Sequence, residues 1–238
     1  MRTLVMGDSH GAYKGVKQAL EQANYIPEDD KLVILGDTHD GWSESPALMN
    51  MYIGLSENVP AEQFIYLMGN HDQAYIDWVH NGCKRHYMEG YGGYVTRYVY
   101  LNLAVDEIDR HYEWLLNKPL YHLDKDNRLY VHAGWDPEYD WDNPAQATMN
   151  EYTCTRKLWE GMFKGRNYAK ALHEVFIGHS PTTKYKPFKD EPMNRRNVWN
   201  IDTGACFNGR VTVMDVDTKE FWQSDKCQTL YPLERGRN

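Results

Sequence analysis

Three times within the first 72 residues, a short apolar run ends in glycine and is followed at once by side chains that bind metals or move protons. Residues 3–6 lead into Gly7-Asp8-Ser9-His10-Gly11, residues 31–35 into Gly36-Asp37-Thr38-His39-Asp40, and residues 64–68 into Gly69-Asn70-His71-Asp72. Behind each turn, apolar residues recur at helical spacing, over 12–23, 46–55 and 73–80. Strand, turn and helix in repeated succession is the pattern of parallel strands, whose C-terminal tips share one edge of a sheet. Such a chain must gather Asp8, His10, Asp37, Asn70 and His71 along that edge, with Asn70 on the third turn. Asp8 and His10, two residues apart in extended backbone, project to the same side.

The pattern continues further along. Residues 128–131 form a strand that ends in His132-Ala133-Gly134, and residues 174–177 one that ends in Gly178-His179-Ser180-Pro181. Residues 197–202 and 210–217 read as strands joined through 204–209, with 220–223 as a last strand. Residues 106–116 and 152–162 read as helices. Residues 184–196 read as a polar loop, 81–105 as a loop-rich, cap-like segment, and the tail from about 228 as poorly defined. At 238 residues the chain reads as one domain, 1–238.

Composition excludes several classes. A formal charge of −8 disfavours extended nucleic-acid binding, which needs clustered Lys and Arg. No apolar run is long enough for a signal peptide or a membrane span, so a cytoplasmic location is expected. Cys83, Cys154, Cys206 and Cys227 lack metal-site spacing and read as reduced packing residues. The oligomeric state is not legible.

Five tips thus deliver Asp8, His10, Asp37, Asn70, His132 and His179, an oxygen-and-imidazole set without thiolates, suited to Mn, Fe or Zn. Asp37 is the natural bridge, with Asp8 and His10 on one side and Asn70, His132 and His179 on the other. Two ions ~3.5–4 Å apart clamp a phosphoryl oxygen and generate a hydroxide for in-line attack. His71, beside a ligand, is placed to protonate a leaving oxygen, and Asp40 to fix its tautomer. His39 reads as an exposed loop residue. His80, His86, His111, His122 and His173 read as ordinary surface or partly buried residues. The aromatic stretches 87–100 and 135–141 read as packing, with a nucleobase clamp as the alternative.

These motifs, in this order, resemble the calcineurin-like metallophosphoesterase superfamily, in the branch of phage and bacterial serine/threonine phosphatases and diadenosine tetraphosphatases. Gly92-Gly93 with Thr96, Asn117-Lys118-Pro119-Leu120-Tyr121 and Ile201-Asp202-Thr203-Gly204-Ala205 extend the likeness over nearly the whole chain. The resemblance implies an α+β fold of four layers, αββα: a two-sheet β-sandwich flanked by helices, with a dinuclear site at the sheet edge. It implies two divalent transition-metal ions, manganese first and iron, zinc or nickel as alternatives, and a phosphorylated substrate, phosphoprotein or nucleotide. Phosphate-monoester hydrolysis is the default activity. Two departures bear on substrate: Gly41 and Gly161 stand where the family carries phosphate-gripping arginines. A dianionic phosphate favours a bidentate guanidinium, so this loss motivates a phosphodiesterase or dinucleoside polyphosphatase as the alternative. A non-catalytic phospho-ligand binder is a further alternative. Arg97, Arg156, Arg166, Lys184, Arg195 and Arg196 are possible replacements, with Arg97 and Arg196 ranked first for substrate binding.

Overall fold

The computed structural model describes residues 1–82, 92–137, 149–185 and 189–238. Cys83, His86 and, of the two aromatic stretches, residues 87–91 and 138–141 lie outside the described residues. Alternation along the strands generates the layers. In β1 (Arg2–Met6) and β2 (Asp30–Ile34), Leu4, Met6, Leu32 and Ile34 pack into a core shared with α1 (Tyr13–Gln22) and α2 (Ser45–Asn58), while Val5 and Val33 face the other way. In β5 (Arg128–Val131) and β6 (Glu174–Ile177), Leu129, Val131, Val175 and Ile177 pack outward among the residues of α7 (Lys157–Phe163), while Tyr130 and Phe176 turn inward. Val5, Val33, Leu67, Tyr130, Phe176, Ile201 and Met214 form the central cluster between the sheets. Period-2 side-chain direction with apolar residues on both faces therefore yields helix, sheet, sheet, helix.

The first sheet runs β10-β9-β1-β2-β3, with β3 Phe64–Tyr66, β9 Thr212–Asp215 and β10 Phe221–Gln223. The second runs β4-β5-β6-β8-β7, with β4 Tyr121–Leu123, β7 Met193–Arg195 and β8 Val198–Asn200. The strands β1, β2 and β3 pair in parallel, in the register Met6 with Ile34 and Ile34 with Tyr66. In the second sheet β5, β6 and β8 are also parallel. All five motif-bearing strands end at one edge of the sandwich.

Several elements differ from the sequence reading. Asn70 is the first residue of α3 (Asn70–Asn81) rather than a turn residue, because Gly69 is the extended N-cap and Asp72 accepts from the Gly69 N–H. The segment 152–162 is two helices, α6 (Met149–Cys154) and α7, broken at residues 155–156. Within 184–196 lies β7, an edge strand that pairs antiparallel with β8. In the cap-like segment, by contrast, the short helical pieces that its turn chemistry suggests are met by α4 (Tyr94–Tyr100), which precedes α5 (Val105–Leu116). The tail is ordered through Asn238: α8 (Cys227–Leu230) leads to Tyr231, which is buried and stacked on Trp42.

Candidate metal centre and active site

Three of the five strand tips deliver their residues through an unusual backbone turn. His10, Asp37, Asp40 and His179 have φ of 47°, 58°, 67° and 64°, and they are four of the eight non-glycine residues with positive φ among the described residues. Such conformations cost on the order of 1–3 kcal/mol each and persist only where the surroundings dictate them. Asp72 supplies much of that restraint. Its carboxylate accepts from the backbone N–H groups of Asp37 (2.9 Å) and Thr38 (3.0 Å) and from the Tyr66 hydroxyl (2.8 Å). Gly69 is required by close approach, because a Cβ there would lie 2.2 Å from Asp37 Oδ1.

The side chains converge as acceptors facing acceptors. His10 Nδ1 donates to the His39 carbonyl (2.7 Å), which leaves Nε2 aimed 3.7 Å from Asp8 Oδ2 and 3.7 Å from Asp37 Oδ2. His132 Nδ1 donates to the Leu35 carbonyl (2.7 Å), and its Nε2 stands 3.3 Å from Asp37 Oδ2 and 3.1 Å from Asn70 Oδ1. His179 Nδ1 lies 2.8 Å from the same Asn70 oxygen, and its Nε2 is buried without a hydrogen-bond partner among the described residues. Both Asp8 oxygens accept from the His179 N–H at 3.1 Å. Potential ligand atoms of Asp37, His132 and His179 fall within 4.8 Å of one another, as do those of His10, Asp37 and His71.

A buried acceptor cluster demands positive charge. Without a cation two of the imidazoles, His132 and His10, take protons. Burial pushes His132 down, yet Asp37 and Asp8 outweigh it and lift it to about 9. Burial likewise opposes charge on His10, but Cys206, Asp8 and Asp37 raise it well above the ordinary imidazole value. Asp37, which burial alone would raise, is held well below the usual carboxylate range by His132, His71 and His10. His179 is held well below the imidazole range, first by burial and then by His132 and Arg156, so it stays neutral, the form that ligates. A divalent ion satisfies the same field without protons.

Beside this cluster, His71 Nδ1 donates to Asp40 Oδ2 (2.7 Å), and Asp40 is gripped in turn by Thr96. The Thr96 hydroxyl donates to Asp40 Oδ1 at 2.7 Å and accepts from the Asp40 N–H at 2.9 Å. The structure thus brings together Asp8, His10, Asp37, Asn70, His71, Asp40, His132 and His179. It does not bring Arg97 or Arg196 to the cleft that opens there, about 60 Å³ in volume. Arg196 occupies the β7–β8 hairpin, at the start of a strand whose far end carries the site, and donates to the Gly165 carbonyl (2.9 Å). Arg97 is on α4, about 100° round the helix from Thr96. The basic side chains that line the cleft are Arg156, Lys184 and Arg237.

Two histidines differ from expectation. His39 is fully buried: its ring stacks on Tyr75 (4.3 Å, 9°), Nδ1 donates to Asp72 Oδ1 (2.9 Å) and Nε2 meets the Tyr100 hydroxyl (3.2 Å). His111 is buried too, between Tyr100 (3.0 Å) and Asn50 (3.0 Å), with burial first among the causes that lower it to about 4. Neither position has a sequence signal, since burial comes from α4 and α5 closing over the second motif. Asp72 had a signal, an acidic residue three after a helix cap. Asp202, also lining the cleft, is pushed up to about 8 by burial and then by the Asp8 carboxylate.

The two-sheet sandwich carries at its edge an oxygen-and-imidazole cluster, a donor set suited to divalent metal ions. The chain belongs to the calcineurin-like phosphoesterase family, whose sequence model matches residues 1–211. It is 32% identical over 142 residues to a symmetrical bis(5'-nucleosyl)-tetraphosphatase of Marinomonas sp., covering 59% of this chain and 46% of that one. It is 23% identical over 214 residues to serine/threonine-protein phosphatase 1 of Salmonella typhimurium, covering 88% and 89%. The chain thus spans about half the length of the first of these relatives. A crystal structure of a protein proposed to be a diadenosine tetraphosphatase superposes with a TM-score of 0.67 at 16% identity, covering 93% of this chain and 92% of that one. A yeast serine/threonine phosphatase with similarity to human PP5 gives 0.61 at 15%, covering 94% and 80%. Both show the shared fold. Among the described residues, no helix is long and apolar enough to cross a membrane.

Proposed function

We propose that this chain hydrolyses phosphate monoesters with two divalent transition-metal ions, manganese first, and acts in the cytoplasm. Asp8, His10 and Asp37 would hold one ion, and Asp37, Asn70, His132 and His179 the other. The observation that carries this reading is the convergence of His10 Nε2 and His132 Nε2, each turned inward by a carbonyl behind it, on carboxylate and amide oxygens. Such ions, when bound, polarise a phosphoryl oxygen and lower the pKa of water. The chain's own residues do the rest. Asp40, fixed by Thr96, holds the His71 ring with Nε2 toward the cleft, where the ring, once it has taken a second proton from solvent, passes the Nε2 proton to the leaving oxygen. Arg156 and Lys184 bring positive charge to the cleft mouth and favour a dianion over a diester.

A second reading, hydrolysis of a dinucleoside polyphosphate, is favoured by the tetraphosphatase names of the relatives. The test compares the manganese-loaded protein on p-nitrophenyl phosphate, bis-p-nitrophenyl phosphate and diadenosine tetraphosphate, with Asp8→Asn as background. Monoester preference supports the first reading, tetraphosphate preference the second, and diester preference refutes both. His71→Asn should retain metal and slow poor leaving groups most; equal slowing of all leaving groups would remove the proton-donor role.

A further inference from the structure

The sequence lacks an arginine at position 41, and the structure forbids one there: a Cβ on Gly41 would lie 2.6 Å from the His10 carbonyl oxygen and 2.9 Å from His10 Cβ. The three residues that follow Gly41 are instead a dock for the segment 227–238. The Tyr231 ring stacks on Trp42 (5.0 Å, 18°), while the Tyr231 hydroxyl accepts from the Lys14 N–H and donates to Glu44. Glu234 accepts from both the N–H and the hydroxyl of Ser43, each at 2.8 Å. Beyond Glu234 the backbone is pinned again, as the Arg237 N–H donates to the Cys206 carbonyl (2.8 Å). The outcome is a guanidinium inside the cleft. Arg237 Nη1 donates to His71 Nε2 at 2.7 Å, with its carbon 5.8 Å over the Phe207 ring.

We propose that Arg237 is the phosphate-gripping residue of this site, aimed by the dock of Trp42, Ser43 and Glu44. The proposal rests on the phosphoester reading above. A guanidinium offers paired N–H groups in a plane, matched to two oxygens of a phosphate, whereas one imidazole nitrogen uses only one of them. An arriving phosphate therefore draws Arg237 off His71 Nε2, and that nitrogen takes a proton from solvent and faces the leaving oxygen. The loop that lost its own arginine supplies the anchor for the replacement. This arrangement needs contacts between residues nearly 200 positions apart, and so has no local motif.

The test uses the full, manganese-loaded chain, with inorganic phosphate binding by calorimetry and p-nitrophenyl phosphate kinetics as readouts. Arg237→Gln should weaken phosphate binding by roughly 10- to 150-fold, the usual worth of hydrogen bonds to a charged group, and raise KM in parallel. Bound manganese should stay unchanged. Arg237→Lys should recover part of the loss, and free guanidinium ion at millimolar concentration should restore activity to Arg237→Ala. Arg196→Gln, away from the cleft, should leave both readouts within about 2-fold, as surface changes do. Phosphate affinity and KM unchanged in Arg237→Gln, with manganese bound, would overturn the proposal while leaving the hydrolase reading intact. Arg237-dependent phosphate binding by a wild-type chain that turns over no phosphate ester would do the reverse.

Discussion

Thr96→Val isolates the support of the proposed proton donor. Thr96 is fully buried, and its hydroxyl makes two bonds to one residue: it donates to Asp40 Oδ1 (2.7 Å) and accepts from the Asp40 N–H (2.9 Å). Valine keeps the shape, so no cavity enters the account, but it removes both bonds. The bond to the carboxylate is worth ~1.5–3 kcal/mol and the neutral one ~0.5–1.5 kcal/mol, so a stability loss of about 2–4.5 kcal/mol is expected. For a chain of this length that is a fall of about 4–9 °C in Tm. The second consequence is chemical. With Oδ1 released, Asp40 can rotate and the His71 ring loses its fixed tautomer, so kcat should fall about 10-fold, more for poor leaving groups, with KM nearly unchanged. Urea unfolding and steady-state kinetics over phenyl phosphates of graded leaving-group pKa read the two effects. Thr96→Ser, which keeps the hydroxyl, should behave close to wild type. A loss below about 0.5 kcal/mol with unchanged kcat, or a serine variant as impaired as the valine one, would refute the reasoning.

Asp8→Asn and His132→Ala should each abolish turnover and lower manganese stoichiometry together, measured by calorimetry and elemental analysis; retained turnover in either would remove the ligand set. Chelation should lower Tm, and manganese at a hundredfold over its Kd should restore about 2.7 kcal/mol of stability; an unchanged melt in chelator would speak against a structural cation. Asp30 accepts from Arg2 Nε (3.1 Å) and Nη2 (2.6 Å) and from the Ile26 N–H (3.0 Å). Burial opposes the charge, but Arg2 and Ile26 hold the carboxyl below its ordinary value. A lowered folded pKa gives stability that is present above the unfolded value and lost as pH falls through the folded one. Asp30→Asn should therefore cost about 1–2 kcal/mol at pH 7, with the gap closing below about pH 4; a gap independent of pH would mean the loss is one of packing.

The convergence of these side chains at one edge was legible in the sequence because each contribution there is local. A strand-terminal glycine, a carboxylate or amide, and a histidine within three residues are set by one turn, so Asp8, His10, Asp37, Asn70, His132 and His179 could be read one tip at a time. Period-2 alternation in 3–6, 31–35 and 128–131 likewise encodes the two buried faces of each strand, hence the layers. Element ends were less legible: residues 155–156, where α6 gives way to α7, carry no Pro or Gly to mark the break, and β7 is a three-residue edge strand with no apolar pattern.

What tertiary structure alone decided are the pairings of residues distant in the chain. His39 is written into an open-looking loop, yet α4 and α5 bury it against Tyr75, Asp72 and Tyr100. Arg97 and Arg196 sit near motifs in sequence, yet one lies off the inward line of a helix and the other at the far end of a strand. Arg237, in a tail without any motif, reaches the cleft because aromatic stacking on Trp42 and a carboxylate on Ser43 bring it there. Local spacing fixes which atoms a turn can present; only the closed fold fixes which charge from elsewhere in the chain meets them.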